Sequence, residues 1–166
     1  MKKILKLINN FLAKGFVFLL IVPLIFLPTQ SFAEVAETQI NGGVIEASTE
    51  FLRDLDYETW QLVAYQAPYN NEKLVLRIIG YPGNLRIDHP LPLNVESGRR
   101  NWKLDDVTLL NNELVEDSRQ AAAEFDLDQL IQDLSQNRPL RLSLQGVFSE
   151  LPVPPFLVKE WRNLSN

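Results

Sequence analysis

Apolar and polar residues alternate along several short stretches of this chain, and that alternation restricts it to folds built around β-sheets. The clearest example is residues 140–144, where leucine alternates with Arg141 and Ser143. A strand turns successive side chains to opposite faces, so a period of two gives one buried face and one solvated face. Because turn-forming residues separate these stretches, the pattern predicts an antiparallel sheet.

Two pairs of alternating stretches are predicted to form β-hairpins. The first hairpin joins residues 59–65 to residues 73–79, and the second joins residues 91–95 to a strand that begins at Trp102. Each pair is separated by residues that favour tight turns. The two prolines in residues 90–92 lack backbone N–H groups, so we expect the first strand of the second hairpin to lie at a sheet edge.

A helical period appears twice in the last third of the chain. Residues 127–134 carry leucine or isoleucine at i, i+3, i+4 and i+7, and Asp126 is the expected N-cap. Pro155 suits the first turn of a second helix over residues 155–163. Its apolar face contains Leu157, Trp161 and Leu164. We therefore predict a mainly β or α+β fold, an antiparallel sheet sandwich or half-barrel with one or two short covering helices.

The first 33 residues have the organisation of a secretory signal peptide. Four lysines precede an apolar, uncharged run over residues 16–27, and Ser31 and Ala33 are small residues at the positions that signal peptidase prefers. We expect cleavage after Ala33. The alternative is a retained membrane anchor, but a span needs about 20 apolar residues, and this shorter run contains Pro23. The chain is thus expected to contact a membrane only through the signal peptide before cleavage.

Cleavage would leave a chain with one globular domain. We predict a signal peptide over residues 1–33, a flexible leader with room for a short strand over residues 34–48, and a single β-rich domain over residues 49–166. The signal peptide holds four of the 16 basic residues and none of the 21 acidic residues, so its removal changes the net charge from −5 to −9. An acidic domain without a cluster of basic residues is a poor match to nucleic acid, and we exclude that class of partner.

The chain contains no cysteine and one histidine, His89. Disulfides, thiolate catalysis and cysteine-based metal sites are therefore excluded, and the core has to supply the stability. Asp88 precedes His89, but neighbours in an extended chain point to opposite faces, so it is poorly placed to orient the imidazole. We interpret His89 as a turn histidine, with a protonation switch as the alternative. No catalytic residue, metal site or cofactor is predicted.

Asp54, Asp56 and Glu58 alternate along the chain and would share one side of a strand. That spacing is compatible with a calcium site or an acid pair, but the glycine and the distant glutamate of an EF-hand loop are missing. A solvated acidic face is the preferred interpretation. Asp105 and Asp106 suit the capping of a turn better than catalysis. These five carboxylates are the candidates for a carboxylate-dependent hydrolase, the least favoured alternative.

Two groups of residues are candidates for binding. Trp60 and Trp102 are candidate ligand-lining aromatics for a cavity between sheet and helix, although aromatics at strand spacing usually fill the core. The second group is a surface between residues 81 and 100, which carries turns, the expected edge strand and a pair of arginines. Its residues are Tyr81, Asp88, His89, Arg99 and Arg100.

Three stretches of the chain, residues 52–63, 76–83 and 88–91, have a recognisable succession of residues. They read LRDLDYETWQLV, LRIIGYPG and DHPL. This succession resembles a family of short exported cyanobacterial proteins that is known as a domain of unknown function, and the likeness spans roughly residues 45–150. The resemblance implies a location in the periplasm or thylakoid lumen. It implies no reaction and no catalytic residues.

These expectations favour an exported, non-enzymatic accessory or binding protein of the periplasm or thylakoid lumen that acts on a partner at a membrane complex. The signal peptide, the acidic domain and the incomplete catalytic sets support this interpretation. The alternatives are a small-ligand carrier with an aromatic-lined cavity and, less favoured, the hydrolase.

Overall fold

The computed structural model describes residues 35–40, 43–80, 86–116 and 121–165, and for residues 35–40, 43 and 44 it describes the backbone. The predicted signal peptide, with its cleavage site at Ala33, lies outside the described residues. Tyr81, from the candidate binding surface, also lies outside them. No helix in the described ranges is long and apolar enough to cross a membrane.

Nine strands and three α-helices make up the regular structure of the described residues. The strands are β1 (Val35–Ile40), β2 (Gly43–Arg53), β3 (Thr59–Ala67), β4 (Lys73–Ile79), β5 (Leu93–Ser97), β6 (Arg100–Leu104), β7 (Ala122–Asp126), β8 (Leu140–Leu144) and β9 (Phe148–Val153). The α-helices are α1 (Asn112–Glu116), α2 (Asp128–Asp133) and α3 (Pro155–Leu164). Two 3₁₀ turns, η1 (Pro68–Asn70) and η2 (Thr108–Leu110), follow β3 and precede α1.

The strands form two antiparallel sheets. The first sheet has five strands in the order β1-β2-β3-β4-β7, and the second has four strands in the order β6-β5-β8-β9. Within the described residues, neither sheet closes into a barrel. The two predicted hairpins are present as β3–β4 and β5–β6. The prediction of a mainly β fold with antiparallel sheets and short helices is therefore confirmed.

One apolar core contains side chains from both sheets. On β3, Trp60, Leu62 and Ala64 belong to this core, whereas Val63 and Tyr65 lie on the opposite, outer face of the first sheet. The regions of α2 and α3 complete the core with Leu127, Leu130, Ile131, Leu134, Leu157, Val158, Trp161 and Leu164. Burying one leucine-sized side chain contributes about 1.5–3 kcal/mol, so this core is the main source of stability in a chain without disulfides.

The first strand of the second hairpin is not the edge strand that its prolines suggested. β5 pairs with both β6 and β8, so it lies inside the second sheet. Pro90 and Pro92 precede Leu93, the first residue of β5, and therefore remove no donor from its ladder. The edge strand on that side is β6.

The first sheet extends further toward the N-terminus than predicted. Residues 34–48, predicted as a flexible leader, contain β1 and the beginning of β2. β2 pairs with β3 from Ala47 onwards, so the predicted domain boundary at residue 49 falls inside a strand. This stretch has little apolar alternation of its own, and pairing with neighbouring strands accounts for its conformation.

Both predicted helices are present. α3 begins at Pro155, as expected, and buries its predicted apolar face. The N-cap position of α2 is occupied by Leu127 and not by the predicted Asp126. Asp126 Oδ1 instead accepts a hydrogen bond from the Asp128 N–H, 3.0 Å away, and so still supports the first turn of the helix.

Candidate functional site

The most completely buried charged side chain in the described residues is Glu124 on β7. Four side chains donate hydrogen bonds to its carboxylate on the outer face of the first sheet. Tyr65 and Tyr69 donate through their hydroxyl groups. Arg77 Nε donates to Oε1 at 2.7 Å, and Asn111 Nδ2 donates to the same oxygen at 3.1 Å. We call these five residues the glutamate network.

Strand register and a covering segment assemble the glutamate network. Arg77 on β4 lies directly opposite Glu124 on β7, and directly opposed residues share a sheet face. The segment after β6 covers that face. Its Val107 N–H donates to the Glu124 carbonyl at 2.8 Å, and Thr108 Oγ1 accepts from the Glu124 N–H at 2.8 Å. Away from water, hydrogen bonds to an ionised group are strong, so the network fixes the segment to the sheet.

The electrostatics of the glutamate network favour a structural role. Burial, together with the negative charge of Glu124, raises the pKa of both Tyr65 and Tyr69 above the ordinary value of a phenol. For Arg77, burial acts to lower the pKa, but the charge of Glu124 outweighs it and the pKa is raised. Both hydroxyl groups therefore keep their protons and the guanidinium keeps its charge at neutral pH. In this arrangement the two tyrosines are hydrogen-bond donors, and Arg77 forms an ion pair with Glu124.

His89 is oriented by Asp106 and not by its chain neighbour Asp88. The Asp88 side chain is 93% exposed and lies 3.4 Å from Arg86 Nε. In contrast, His89 Nδ1 lies 2.8 Å from Asp106 Oδ2. The same carboxylate oxygen accepts a hydrogen bond from the Leu91 N–H at 2.8 Å. His89 thus belongs to a hydrogen-bonded loop whose partner is distant in sequence.

Asp106 also caps the turn that carries Thr108. Its Oδ1 accepts hydrogen bonds from the Thr108 N–H, at 3.0 Å, and from the Thr108 hydroxyl. Burial acts to raise the Asp106 pKa, but the hydrogen bonds from Thr108, His89 and the Leu91 N–H outweigh it, and the pKa is lowered. Asp106 is therefore a carboxylate that positions a loop, which is the capping role predicted for it from sequence. Asp105 beside it is exposed.

Asp54, Asp56 and Glu58 do not share a strand face, because the chain turns between β2 and β3 at these residues. Asp54 is buried and the other two are exposed. Asp54 Oδ1 accepts from the Asp56 and Glu58 N–H groups, each at 2.9 Å. Its Oδ2 accepts from Trp60 Nε1 at 2.8 Å, so the turn occupies both oxygens. Among the residues described, no three His, Asp or Glu side chains form a group that could hold a metal ion.

The two candidate aromatics have different environments. Trp60 is 4% exposed, and its ring meets that of Phe148 edge-on with centroids 5.0 Å apart. Trp60 is therefore part of the apolar core. Trp102 is partly exposed on the edge strand β6, packs against the rim of the core and lines a surface pocket.

The candidate binding surface is divided by β5. Asp88 and His89 precede this strand, whereas Arg99 and Arg100 follow it. A strand of this length separates its two ends by roughly 13 Å. The arginines therefore belong to a different part of the surface from His89, and they lie beside Trp102.

The pocket beside Trp102 has a volume of about 220 Å³. It lies between the β5–β6 hairpin and the segment that joins α2 to β8. Ser97 Oγ on the hairpin donates to the Pro139 carbonyl at 3.1 Å and connects the two walls. The lining side chains include Ser97, Arg100, Trp102, Leu134, Gln136 and Arg138. We call this site the arginine pocket.

Hydrogen bonds and a ring contact between residues around the arginine pocket fix its polar side chains in position. Arg100 Nη1 donates to the Asp133 carbonyl at 2.9 Å, and its guanidinium carbon lies 5.1 Å from the centroid of the Trp102 ring. Trp102 Nε1 donates to Asp133 Oδ2 at 3.0 Å. Arg138 Nη2 donates to Gln136 Oε1 at 3.3 Å. The pocket therefore combines two guanidinium groups with a fixed indole.

The arginines of this region differ from Lys73 and Arg77 in how they are paired. Lys73 and Arg77 each lie 2.7 Å from a carboxylate oxygen. For Arg99, Arg100 and Arg138, the described part of the chain offers no carboxylate oxygen within 4.0 Å. Within the described residues, three arginines without a carboxylate partner thus lie at one end of the second sheet, in a chain whose net charge is −5.

A second cavity, of about 410 Å³, carries both signs of charge. Glu72, Asp128 and Arg162 all line it. Asp128 Oδ1 accepts from the Leu74 N–H at 3.0 Å, and Arg162 Nη1 donates to Asn137 Oδ1 at 3.1 Å. Opposite charges in one cavity offset each other, so its lining favours neither an anion nor a cation.

Sequence analysis identifies Arg99, Arg100 and Trp102 but misses Glu124 and Arg138. The partners of Glu124 come from separate segments as far as 59 residues away, so local spacing does not reveal them. One signal was available, because a lone glutamate in the apolar stretch of β7 requires a buried partner. Arg138 carries no comparable signal, since its position depends on how one connection folds against the β5–β6 hairpin.

Comparison with known families gives one match. A family model described as a protein of unknown function, DUF3122, matches residues 33–164. The matched range includes both sheets, the glutamate network and the arginine pocket, and it ends at the last residue of α3. No curated protein and no solved structure matches the chain.

Proposed function

The chain belongs to the DUF3122 family of proteins of unknown function, and we propose that it is an exported, non-enzymatic accessory protein that binds a protein partner at a membrane complex. The proposal includes a cyanobacterial origin and a location in the periplasm or the thylakoid lumen. The signal peptide pattern of residues 1–33 supports export. The resemblance to short exported cyanobacterial proteins supports the origin and the compartment.

The observation that carries the binding role is the group of unpaired arginines at one end of the second sheet. Arg99 and Arg100 are exposed at the β5–β6 turn, and Arg138 is exposed on the facing wall of the pocket. An arginine without a carboxylate partner offers a planar fork of donors that fits carboxylates. An acidic segment of a partner protein is the complementary surface, and opposite charges also accelerate its association.

The edge strand β6 adjoins these arginines and offers a second mode of contact. β6 pairs with β5 on one side, and within the described residues no strand pairs with its other side. Arg100, Asn101 and Lys103 on this strand are exposed. An open edge can pair with an extended segment of a partner through backbone hydrogen bonds. We therefore propose the second strand of the hairpin, β6, as the edge that contacts the partner, in place of the first strand, which was expected at the edge from sequence.

The hydrogen bonds of two of the five candidate catalytic carboxylates support a non-enzymatic role. Asp54 uses both oxygens to fix the turn before β3. Asp106 uses both oxygens to fix the loops around His89 and Thr108. A general acid or base needs a carboxylate that is within reach of a substrate proton, and these two are already occupied.

A small-ligand carrier is the second candidate, and one observation favours a surface form of it. Trp60 belongs to the apolar core and packs against Phe148. Trp102 lines the arginine pocket, which opens at the surface. A carrier that uses Trp102 would hold its ligand at the β5–β6 end of the second sheet.

Co-purification from the native host tests the partner role. The tagged protein is crosslinked, membranes are solubilised, and recovered proteins are compared between wild type and R99E. We expect a specific partner with wild type and a loss of about tenfold in its recovery with R99E, because charge reversal at an interface is repulsive. The matched control is R53E, which makes the same charge reversal at an exposed arginine on β2. Equal recovery with R99E and R53E, or no partner after crosslinking, contradicts the proposal.

The exported location has a separate test. We expect the native protein to begin at Glu34, which mass spectrometry of the intact chain measures directly. A native protein that still begins at Met1 and fractionates with the cytosol contradicts export.

A further inference from the structure

We propose that the arginine pocket is a binding site for a tetrahedral oxyanion, the phosphate or sulfate group of a small ligand. This inference goes beyond the partner role and does not rest on it, because the pocket would bind its ligand in the isolated protein. Four properties of the pocket lead to it: charge, order, open donors and size.

The charge of the pocket favours an anion. Arg100 and Arg138 both line it, and in the described ranges neither has a carboxylate oxygen within 4.0 Å. The neighbouring Asp133 carboxylate accepts from Trp102 Nε1, and Arg100 bonds to the Asp133 carbonyl instead. Two guanidinium groups that face one small space repel each other. An oxyanion between them removes this repulsion and accepts hydrogen bonds from both.

Arg100 is held in place before a ligand binds. Its guanidinium donates to the Asp133 carbonyl and lies against the Trp102 ring. Trp102 is itself fixed by its bond to Asp133 and by its packing against the core. A side chain that is already ordered loses less conformational entropy on binding. This wall of the pocket therefore requires little rearrangement to receive an anion.

The pocket has N–H donors on Arg138 that make no hydrogen bond to the described residues. A guanidinium carries several N–H groups in a planar fork, and Arg138 uses Nη2 for a long hydrogen bond of 3.3 Å to Gln136. Its other N–H groups are available to a ligand. Ser97 is a buried lining residue, and its bond to the Pro139 carbonyl connects the two walls of the pocket. The other lining side chains, Leu134 and Gln136 among them, carry no charge.

The volume of the pocket limits the size of the ligand. Pockets for drug-sized ligands and cofactors occupy about 300–1,000 Å³, whereas the arginine pocket has about 220 Å³. A dinucleotide or an extended cofactor is too large for it. A phosphate or sulfate group with a short organic substituent fits, and the substituent is directed toward the open mouth.

Titration of the purified mature protein tests the site. Inorganic phosphate is added to ¹⁵N-labelled protein, and amide shifts report binding. We expect the largest shifts at the β5–β6 turn and at residues 135–138. R100Q and R138Q should each weaken phosphate binding by about tenfold, because each removes charge-assisted hydrogen bonds. R53Q removes the same charge from an exposed arginine on β2 and should leave the affinity unchanged.

A second arm distinguishes a free ligand from a lipid headgroup. Vesicles of phosphatidylcholine with and without phosphatidylglycerol are sedimented with the same three variants. Vesicle binding that requires phosphatidylglycerol and is lost in R100Q and R138Q but not in R53Q assigns the pocket to an anionic lipid headgroup, whereas binding of inorganic phosphate alone assigns it to a soluble ligand. The proposal is overturned if neither anion binds, or if R100Q and R138Q bind as tightly as R53Q does.

Discussion

The glutamate network and the arginine pocket use arginine in opposite ways. In the network, the Arg77 side chain is 11% exposed and its Nε lies 2.7 Å from the Glu124 carboxylate. In the pocket, Arg100 and Arg138 are exposed, and the described part of the chain places no carboxylate oxygen within 4.0 Å of them. A buried charge requires a partner because removing it from water costs several kcal/mol. An exposed charge is solvated and stays available to a ligand.

This difference separates stability from binding within one molecule. The network holds the segment after β6 against the first sheet, and its donors and acceptors are occupied. The pocket contributes no comparable ion pair to the fold, and its guanidinium donors are open. Substitutions in the network should therefore change the free energy of unfolding, whereas substitutions in the pocket should change binding. Three predictions test that contrast.

The largest expected effect is that of Glu124→Gln. Glutamine keeps the shape of the side chain but leaves the buried Arg77 without its close negative partner, since Glu113 is 3.9 Å away and 53% exposed. Breaking one side of a buried ion pair lowers the free energy of unfolding by about 3–5 kcal/mol. Urea unfolding followed by tryptophan fluorescence measures this loss. Glu150→Gln, which affects an exposed pair with Arg141 at 3.7 Å, should lower it by only about 0–1 kcal/mol.

A double variant keeps this prediction testable if Glu124→Gln does not fold. Adding Arg77→Met removes the uncompensated cation, and replacing a buried ion pair as a whole is often nearly neutral. The double variant should therefore be more stable than Glu124→Gln alone. A loss below about 1 kcal/mol for Glu124→Gln would mean that the network does not stabilise the fold.

The sequence was sufficient for the architecture because strand and helix periods are local. Alternation in residues 140–144 identifies β8, and the apolar spacing in residues 127–134 identifies α2. The edge position predicted for β5 was wrong because a proline before a strand and a proline within it look alike in sequence. Residues 34–48 were predicted as a flexible leader with room for a short strand, and they contain β1 and the beginning of β2, because neighbouring strands and not a pattern of their own define them.

The candidate site was less predictable because its parts meet only in the folded chain. Arg100 and Trp102 are close in sequence and were both identified. Arg138 reaches the same pocket from the connection between α2 and β8, which has no pattern that indicates its destination. Asp106 lies next to His89 although 17 residues separate them, whereas the adjacent Asp88 points to solvent. Register and loop packing, which a single sequence does not specify, decide these pairings.

A smaller effect, which depends on pH, is expected for Asp106→Asn. Asp106 is not part of the glutamate network, but its buried side chain lies in the segment after β6 that the network holds against the first sheet. The Asp106 pKa is lowered in the folded state, with burial opposed by hydrogen bonds from Thr108, His89 and Leu91. A lowered pKa contributes stability above the unfolded value of about 3.9, and that contribution is lost as the pH falls through the folded pKa.

The difference in unfolding free energy between wild type and Asp106→Asn should therefore be largest near neutral pH and shrink as the pH falls below about 4. Urea unfolding at a series of pH values measures it. Asp88→Asn, at a side chain that is 93% exposed, should give a curve parallel to wild type. A difference for Asp106→Asn that is constant with pH would mean that its charge does not stabilise the loop.

The smallest expected change in stability is that of the double variant R100Q/R138Q. Surface substitutions that break no buried contact usually change the free energy of unfolding by less than about 0.5 kcal/mol. Both arginines are exposed, and among the described residues neither has a carboxylate oxygen within 4.0 Å. Urea unfolding should therefore give this variant a free energy of unfolding close to that of wild type, although the variant should have lost phosphate binding. If the variant instead loses as much stability as Glu124→Gln does, the arginines hold the hairpin to the α2–β8 connection. The division between a stabilising network and a binding pocket would then be wrong, because one set of arginines would serve both purposes.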